Sequence, residues 1–345
     1  MILEGKIRNW RYLFIGLFLL SCSSQNSEPK IDSYLKVSGL AQGTTYSIVY
    51  YDSLSRDFSK GVDSLLNVID NQLSTYDSLS FISKFNNDKI KSKIIGDNNL
   101  FLNCYRKAKY YHKITKGAFN PALFPLVKYW GFFNSDNVTI DTLYLKDSLL
   151  PIVNFDSFSM TINPDGDYRI NKANSLSKLD FNAIAQGYSV DIVSNYLFNN
   201  GITNYMVEIG GEVAAKGLNP SGDLWRIGIE RPVDSSFTGQ YGFQKIITLD
   251  DQAIATSGSY RKYKLINGKK LSHTINPTSG FPVINSLLSV TVISDDATSA
   301  DALATSLMVM GLDSAITFVN AKKDSIIKTY LIYDSLGEYK EWKNF

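Results

Sequence analysis

Cysteine and histidine are nearly absent, with two of each in 345 residues: Cys22 and Cys104, His112 and His273. So few thiols exclude a disulfide-stapled fold, and so few soft ligands argue against a Zn or Cu centre. Any metal here is therefore a hard cation held by oxygen. Long apolar runs are missing too, since the run from Tyr12 to Leu20 is too short to span a bilayer. There is no charge excess of one sign, the formal net charge being +2, and no internal repeat. That balance argues against a nucleic-acid binder.

What is present begins with a leader. Lys6, Arg8 and Arg11 precede the apolar run, and Leu19-Leu20-Ser21-Cys22 closes it before a polar stretch from Ser23 to Ser27. This resembles a bacterial lipoprotein signal, in which residues 1–21 are removed, Cys22 is lipidated, and residues 22–33 form a tether. Cleavage there removes Lys6, Arg8, Arg11 and Glu4 and takes the formal charge from +2 to 0. Cys104 is then the only thiol, and the fold stands on its core. At 44% hydrophobic and 13% aromatic, residues 34–345 suffice for one elaborate domain or two intimate lobes.

The chain is organised around Leu179 to Asp191, where an extended segment gives way to a helix running to about Asn199. The free amides of a helix's first turn, with its dipole, suit a phosphate or a phosphate-bound metal. Gly187 permits close approach to the backbone. Asp180 either caps the helix, accepts from a ligand or faces a cation. An ordinary capped helix is the plain alternative.

Periodicity sets the remaining expectations. Tyr34 to Tyr51 reads as a strand or hairpin broken at Gly39 and Gly43, and Ser59 to Leu73 as an amphipathic helix. Asn99 to Lys116 reads as a helix stopped by Gly117, with His112 structural on it. Gly117 to Phe132, with two prolines and many aromatics, reads as a packed irregular wall beside a cleft. Val138 to Leu145 and Phe158 to Ile162 look β-prone. Tyr205 to Ile209 is a buried strand leading to Gly210-Gly211-Glu212, and Val213 to Lys216 with Trp225 to Glu230 continue its sheet. Lys245 to Leu249, Ala253 to Ser257, Tyr260 to Ile266 and Leu287 to Ser294 are further strands. Ala297 to Met310 is a helix stopped by Gly311, followed by a last helix and strand between Asp313 and Asp334. On the 297–310 helix Asp301 and Thr305 are four apart and share a face, half a shell for Mg²⁺. His273, in the polar loop from Ser272 to Gly280, is a better catalytic candidate than His112.

In order and spacing, these motifs are similar to those of the ApbE family: Gly43-Thr44-Thr45-Tyr46, Ser74-Thr75-Tyr76-Asp77, Ala118-Phe119-Asn120-Pro121 with Trp130-Gly131-Phe132, Asp180 to Asp191, Glu208 to Glu212, Thr256-Ser257-Gly258, Ser272 to Pro277 and Ala300 to Thr305. The resemblance implies an α+β fold of two closely packed mixed lobes with the ligand cleft between them, and an FAD:protein FMN transferase. It implies FAD as substrate, contacted by Gln42, Tyr76, Ala118, Phe119, Asn120, Asp180, Gln186 and Ile275. It also implies Mg²⁺ on the Ala183 carbonyl, Asp301 and Thr305, with His273 as the base. Gln42, Asn120, Gln186 and Ala304 depart from the residues common in the family, and Ala304 leaves the cation one carboxylate fewer.

The implied reaction is attack of an acceptor protein's Thr or Ser hydroxyl on FAD, with release of AMP. The implied acceptor belongs to a membrane redox complex and carries a Thr/Ser flavinylation motif. The implied setting is the bacterial cell envelope, lipid-anchored and facing the periplasm. Rival readings are a Mg²⁺-dependent FAD pyrophosphatase, a non-catalytic flavin-binding lipoprotein, and a structural envelope lipoprotein with a relic site.

Overall fold

The computed structural model describes residues 34–88, 92–96, 99–133, 140–232, 242–259, 263–266, 269–322 and 327–345. The expected signal peptide and tether, with Cys22, and the Asn267-Gly268 turn lie outside the described residues. In chain order the elements are β1 (Tyr34–Ala41), β2 (Thr44–Tyr51), α1 (Ser59–Leu73), α2 (Phe81–Asn87), β3 (Ser92–Ile95), α3 (Leu100–Ile114) and α4 (Phe124–Tyr129). After α5 (Thr142–Tyr144) come β4 (Phe158–Ile162), β5 (Tyr168–Lys172), α6 (Ala185–Asn199), β6 (Tyr205–Ile209), β7 (Glu212–Lys216), β8 (Trp225–Glu230) and β9 (Phe243–Leu249). The chain closes with β10 (Gln252–Gly258), β11 (Tyr263–Ile266), β12 (Lys269–Ser272), β13 (Leu287–Ser294), α7 (Ala297–Met310), α8 (Leu312–Asn320), β14 (Lys328–Ser335) and β15 (Glu338–Lys343).

Eight strands form one antiparallel sheet in the order β1-β2-β6-β7-β10-β13-β14-β15. Alternate residues serve opposite faces, as a strand's two-residue period requires. Ala253, Ala255, Val290, Val292 and Leu331 join the main core with α1, α3, α6 and α7. Ile254, Ile293, Tyr330 and Ile332 instead pack on Trp225, Ile229, Ile247 and Leu249 of a separate ribbon, β8 with β9. β13, covered on both faces, is accordingly buried along almost its whole length, its Ser289, Thr291 and Ser294 included. A three-stranded sheet, β3-β5-β4, and a small cluster of Leu126, Trp130, Leu145, Leu149, Val153 and Ile275 build the rest. The α+β class is as expected, and residues 33–345 hold together as one unit.

Three expectations need correction. Trp225 to Glu230 is a strand but does not continue the large sheet, because its apolar side covers that sheet's second face. The stretch after Ile140 is helical, passing from α5 through a π turn, Leu145–Leu149, to a 3₁₀ turn, Leu150–Ile152. Asp141 explains this by capping it, accepting from the amides of Leu143 at 2.9 Å and Tyr144 at 3.0 Å. Gly39 does not interrupt β1, since it pairs with Tyr46 and leaves room for that ring, which a Cβ would meet at 2.7 Å. The hairpin turns instead at Gln42 and Gly43, both with positive φ (55° and 72°), the two-residue turn that suits twisted strands.

Candidate active site

The opening of α6 is tied down from several directions. The Asp180 amide donates to the Pro121 carbonyl at 2.7 Å, fastening this corner to the 117–132 wall. Oδ1 of Asp180 accepts from the Asn182 amide at 2.8 Å, and Asn182 Nδ2 donates to Thr75 Oγ1 at 3.4 Å, drawing in the Ser74–Asp77 turn. Burial pushes the Asp180 carboxyl up to about 6, against the hydrogen bonds from Asn182 that favour its charge. The amides of Ile184 and Ala185 both donate to the Phe181 carbonyl, at 2.9 and 2.8 Å.

Gly187 then breaks the helical pattern in a consequential way. Its amide donates to Oδ2 of Asp301 at 3.1 Å, so among the described residues no amide reaches the Ala183 carbonyl four residues back. A Cβ on Gly187 would lie 2.3 Å from the Ala297 carbonyl oxygen and 2.8 Å from the Asp301 Cβ. Only glycine lets α6 and α7 approach this closely.

α7 presents Asp301, buried, and Thr305, half-buried, one turn apart. Among the described residues no three His, Cys, Asp or Glu side chains cluster as a metal site. One carboxylate, one hydroxyl and a carbonyl that no amide engages are nonetheless a donor set that fits a hard divalent cation, with water completing its shell. Ala304 is buried and adds no ligand.

The aromatic side of the site is packed rather than solvated. His112 Nδ1 and the Phe119 carbonyl are 2.8 Å apart, and the Phe119 amide donates to Thr115 Oγ1, so His112 is structural as expected and holds Ala118 and Phe119 in place. Asn120 uses its side chain within the wall, donating to the Val153 carbonyl at 3.2 Å and accepting from the Ala122 amide at 2.9 Å. Trp130 Nε1 donates to the Gly280 carbonyl at 2.7 Å, joining the wall to the loop that carries His273 and Ile275. Ile275 is buried in the cluster with Trp130, and His273 is half-buried just after β12. Tyr76 is 66% exposed, with Phe133 stacked on it.

Gln42, at the hairpin tip, donates from Nε2 to Ser189 Oγ on α6 at 2.6 Å, while its Oε1 is buried without a hydrogen-bond partner among the described residues. Gln186 lies against Gly210, whose added Cβ would meet Nε2 at 2.3 Å. The structure thus sets Asp301 of α7 against the opening of α6 that follows Asp180 and Ala183, with Gln42 and Gln186 packed near the start of α6 and Thr305 one turn further along α7. Tyr76 and Ala118 to Asn120 are joined to them through Thr75 and Pro121, and His273 and Ile275 through Trp130. Cys22 lies outside the described residues. Sequence reasoning placed Ser189 and Asp191 in the central stretch without giving either a role, and it missed Phe133; their partners are far away in the chain.

The sequence profile described as the ApbE family matches residues 42–329. The chain belongs to the ApbE family. It is similar to an FAD:protein FMN transferase of Vibrio cholerae, 36% identical over 96% of this chain and 97% of that one. A second, from Haemophilus influenzae, is 32% identical over 91% of this chain and 89% of its own. Among solved structures, the flavin transferase ApbE from Vibrio cholerae superposes with a TM-score of 0.79 at 34% identity, covering 90% of this chain and 97% of that one. The apo flavinyl transferase ApbE of Pseudomonas stutzeri gives 0.78 at 30% identity, covering 90% and 95%. The Gly187–Asp301 junction and its neighbours thus stand in an ApbE scaffold.

Proposed function

We propose that this protein is an FAD:protein FMN transferase that moves the FMN part of FAD onto a Thr or Ser hydroxyl of an acceptor protein. The Asp301 carboxylate, held against the opening turn of α6 by the Gly187 amide, carries this reading. It puts a buried carboxylate, and a carbonyl that no amide of the described residues engages, beside a helix start, an arrangement suited to a cation-bridged diphosphate. The relatives' names, FAD:protein FMN transferase, support the same activity.

In the reaction, the acceptor's hydroxyl oxygen bonds to the FMN-side phosphorus and the bond from that phosphorus to the bridging oxygen breaks. AMP leaves with the bridging oxygen, and His273 takes the hydroxyl proton. Mg²⁺ on the Ala183 carbonyl, Asp301 and Thr305 would neutralise charge on the diphosphate. Asp180 and the α6 opening orient the phosphates, while Tyr76 offers a flat face to the flavin ring. A lipid on Cys22 would hold the enzyme at the bacterial envelope, facing the periplasm, within reach of an acceptor in a membrane redox complex.

The test is AMP release from FAD with Mg²⁺, with and without an acceptor carrying a Thr/Ser flavinylation motif, alongside in-gel flavin fluorescence. AMP with a covalently fluorescent acceptor is the expected result. AMP with free FMN alone identifies a pyrophosphatase, and no AMP in any condition identifies a binding protein.

A further inference from the structure

Tyr76 and Phe133 lie face to face, with ring centroids 4.9 Å apart and planes 8° from parallel. Each of the other close ring pairs among the described residues is tilted or edge-on. Protein rings pack both edge-on and offset-stacked, and the stacked form is also the one by which a flat ligand lies on a ring. Phe133 is braced from behind, edge-on, by Phe124 at 5.3 Å and 71°. Phe124 belongs to the wall that holds Ala118 to Asn120 and Phe133 directly follows that wall, so the covered face of Tyr76 is the one turned toward it. Through Thr75 and Asn182 the same tyrosine is tethered to the α6 opening.

We propose that Phe133 covers the face of Tyr76 that the flavin ring takes, and that FAD binds by displacing it. This rests on the reading of Tyr76 as the flavin's stacking partner. A third ring does not fit between two rings 4.9 Å apart, because stacked centroids each need about that spacing. Phe133 must therefore leave before the isoalloxazine arrives. Carrying no polar atom, it gives up only apolar contacts, with Tyr76 and with Phe124. FAD meets a competitor built into the chain, and its apparent affinity is reduced by the fraction of molecules in which Tyr76 is covered. Phe133 is thus a specificity device, because a ligand that stacks more weakly than the phenyl ring is kept out.

The test is FAD titration of the full chain by flavin fluorescence, with stopped-flow association rates, in wild type, Phe133→Leu, Phe133→Ala, Tyr76→Leu and the double variant Tyr76→Leu/Phe133→Leu. Phe133→Leu keeps apolar bulk against Phe124 and protects the fold, which thermal unfolding checks. Both Phe133 variants are expected to bind FAD about two- to ten-fold more tightly and faster, the range an aromatic stack is worth. In the Tyr76→Leu background the gain disappears. Unchanged or weaker binding in both folded Phe133 variants overturns the proposal while leaving FAD binding itself intact. A wild-type protein that binds no FAD overturns it together with the flavin reading.

Discussion

Asp191 and Thr298 face each other across two helices: the Asp191 carboxylate, on α6, accepts from both the amide and the hydroxyl of Thr298 on α7, the amide at 3.0 Å. It also takes the Ala297 amide at 2.8 Å, so α7 is capped by its neighbour as well as by its own Asp296, which accepts from the Ser299 amide at 2.9 Å. Asp191→Ala leaves buried donors unsatisfied and should lower stability by about 2 kcal/mol. Asp191→Asn keeps one acceptor oxygen where the carboxylate uses both and turns an NH2 toward a buried amide donor, so it should recover only part of that loss. Urea midpoints of the two variants decide it.

Gly187→Ala tests the helix crossing directly. Its new methyl meets the Ala297 backbone, which cannot rotate away, so α6 and α7 must part. The expected cost is about 1–3 kcal/mol of stability, with Mg²⁺ affinity falling because Asp301 is carried away from the opening turn of α6. Thermal unfolding and Mn²⁺ binding followed by electron paramagnetic resonance read the two effects separately.

Asp301→Asn keeps an oxygen that accepts from the Gly187 amide but drops the charge. The fold should therefore hold while metal-dependent AMP release is lost. A Mg²⁺ titration of AMP release, with a circular-dichroism melt beside it, checks both halves; full activity at the wild-type Mg²⁺ concentration would remove Asp301 from the metal shell.

His273→Gln should slow AMP release by about 10²–10⁴-fold, the usual worth of a positioned base, while FAD affinity stays within about two-fold. A parallel loss of FAD binding would make His273 a binding residue rather than the proton acceptor.

Asp180 sets a pH dependence of definite sign. Its carboxyl is raised from an ordinary 3.8 to about 6 by burial. Between those values the folded protein keeps a proton that the unfolded chain has released, so stability falls as pH rises through the window and levels off above it. Asp191, also raised to about 6 by burial, acts in the same direction. Asp180→Asn should be more stable than wild type at pH 7.5 by about 2–3 kcal/mol at most, and no more stable at pH 4. Urea unfolding at the two pH values measures the difference.

Much of the framework was legible because its signals are local. The apolar period of Ser59–Leu73 and the Gly311 stop after Met310 gave those helix boundaries directly. α2 escaped notice because seven residues are too few to show a period, although Ser80 caps it by accepting from the Ser83 amide at 3.1 Å. β15 is exposed along most of its length, so no apolar alternation marks it. At the site, Asp301 and Thr305 were visible as a helical pair. The Asp191 cap spans 107 positions, and nothing near Asp191 announces its partner. Phe133 was hidden for the same reason, its stack with Tyr76 being set by the fold.

Cys104, on α3, is wholly buried, and burial pushes its thiol well above the ordinary range. In a chain that starts after Cys22 it is the only sulfhydryl. A thiol-reactive dye therefore has one target and reaches it only during those moments when α3 lifts from the layer beneath it. The labelling rate, taken with and without FAD, becomes a stopwatch for how often the interior breathes and how firmly the substrate holds it shut.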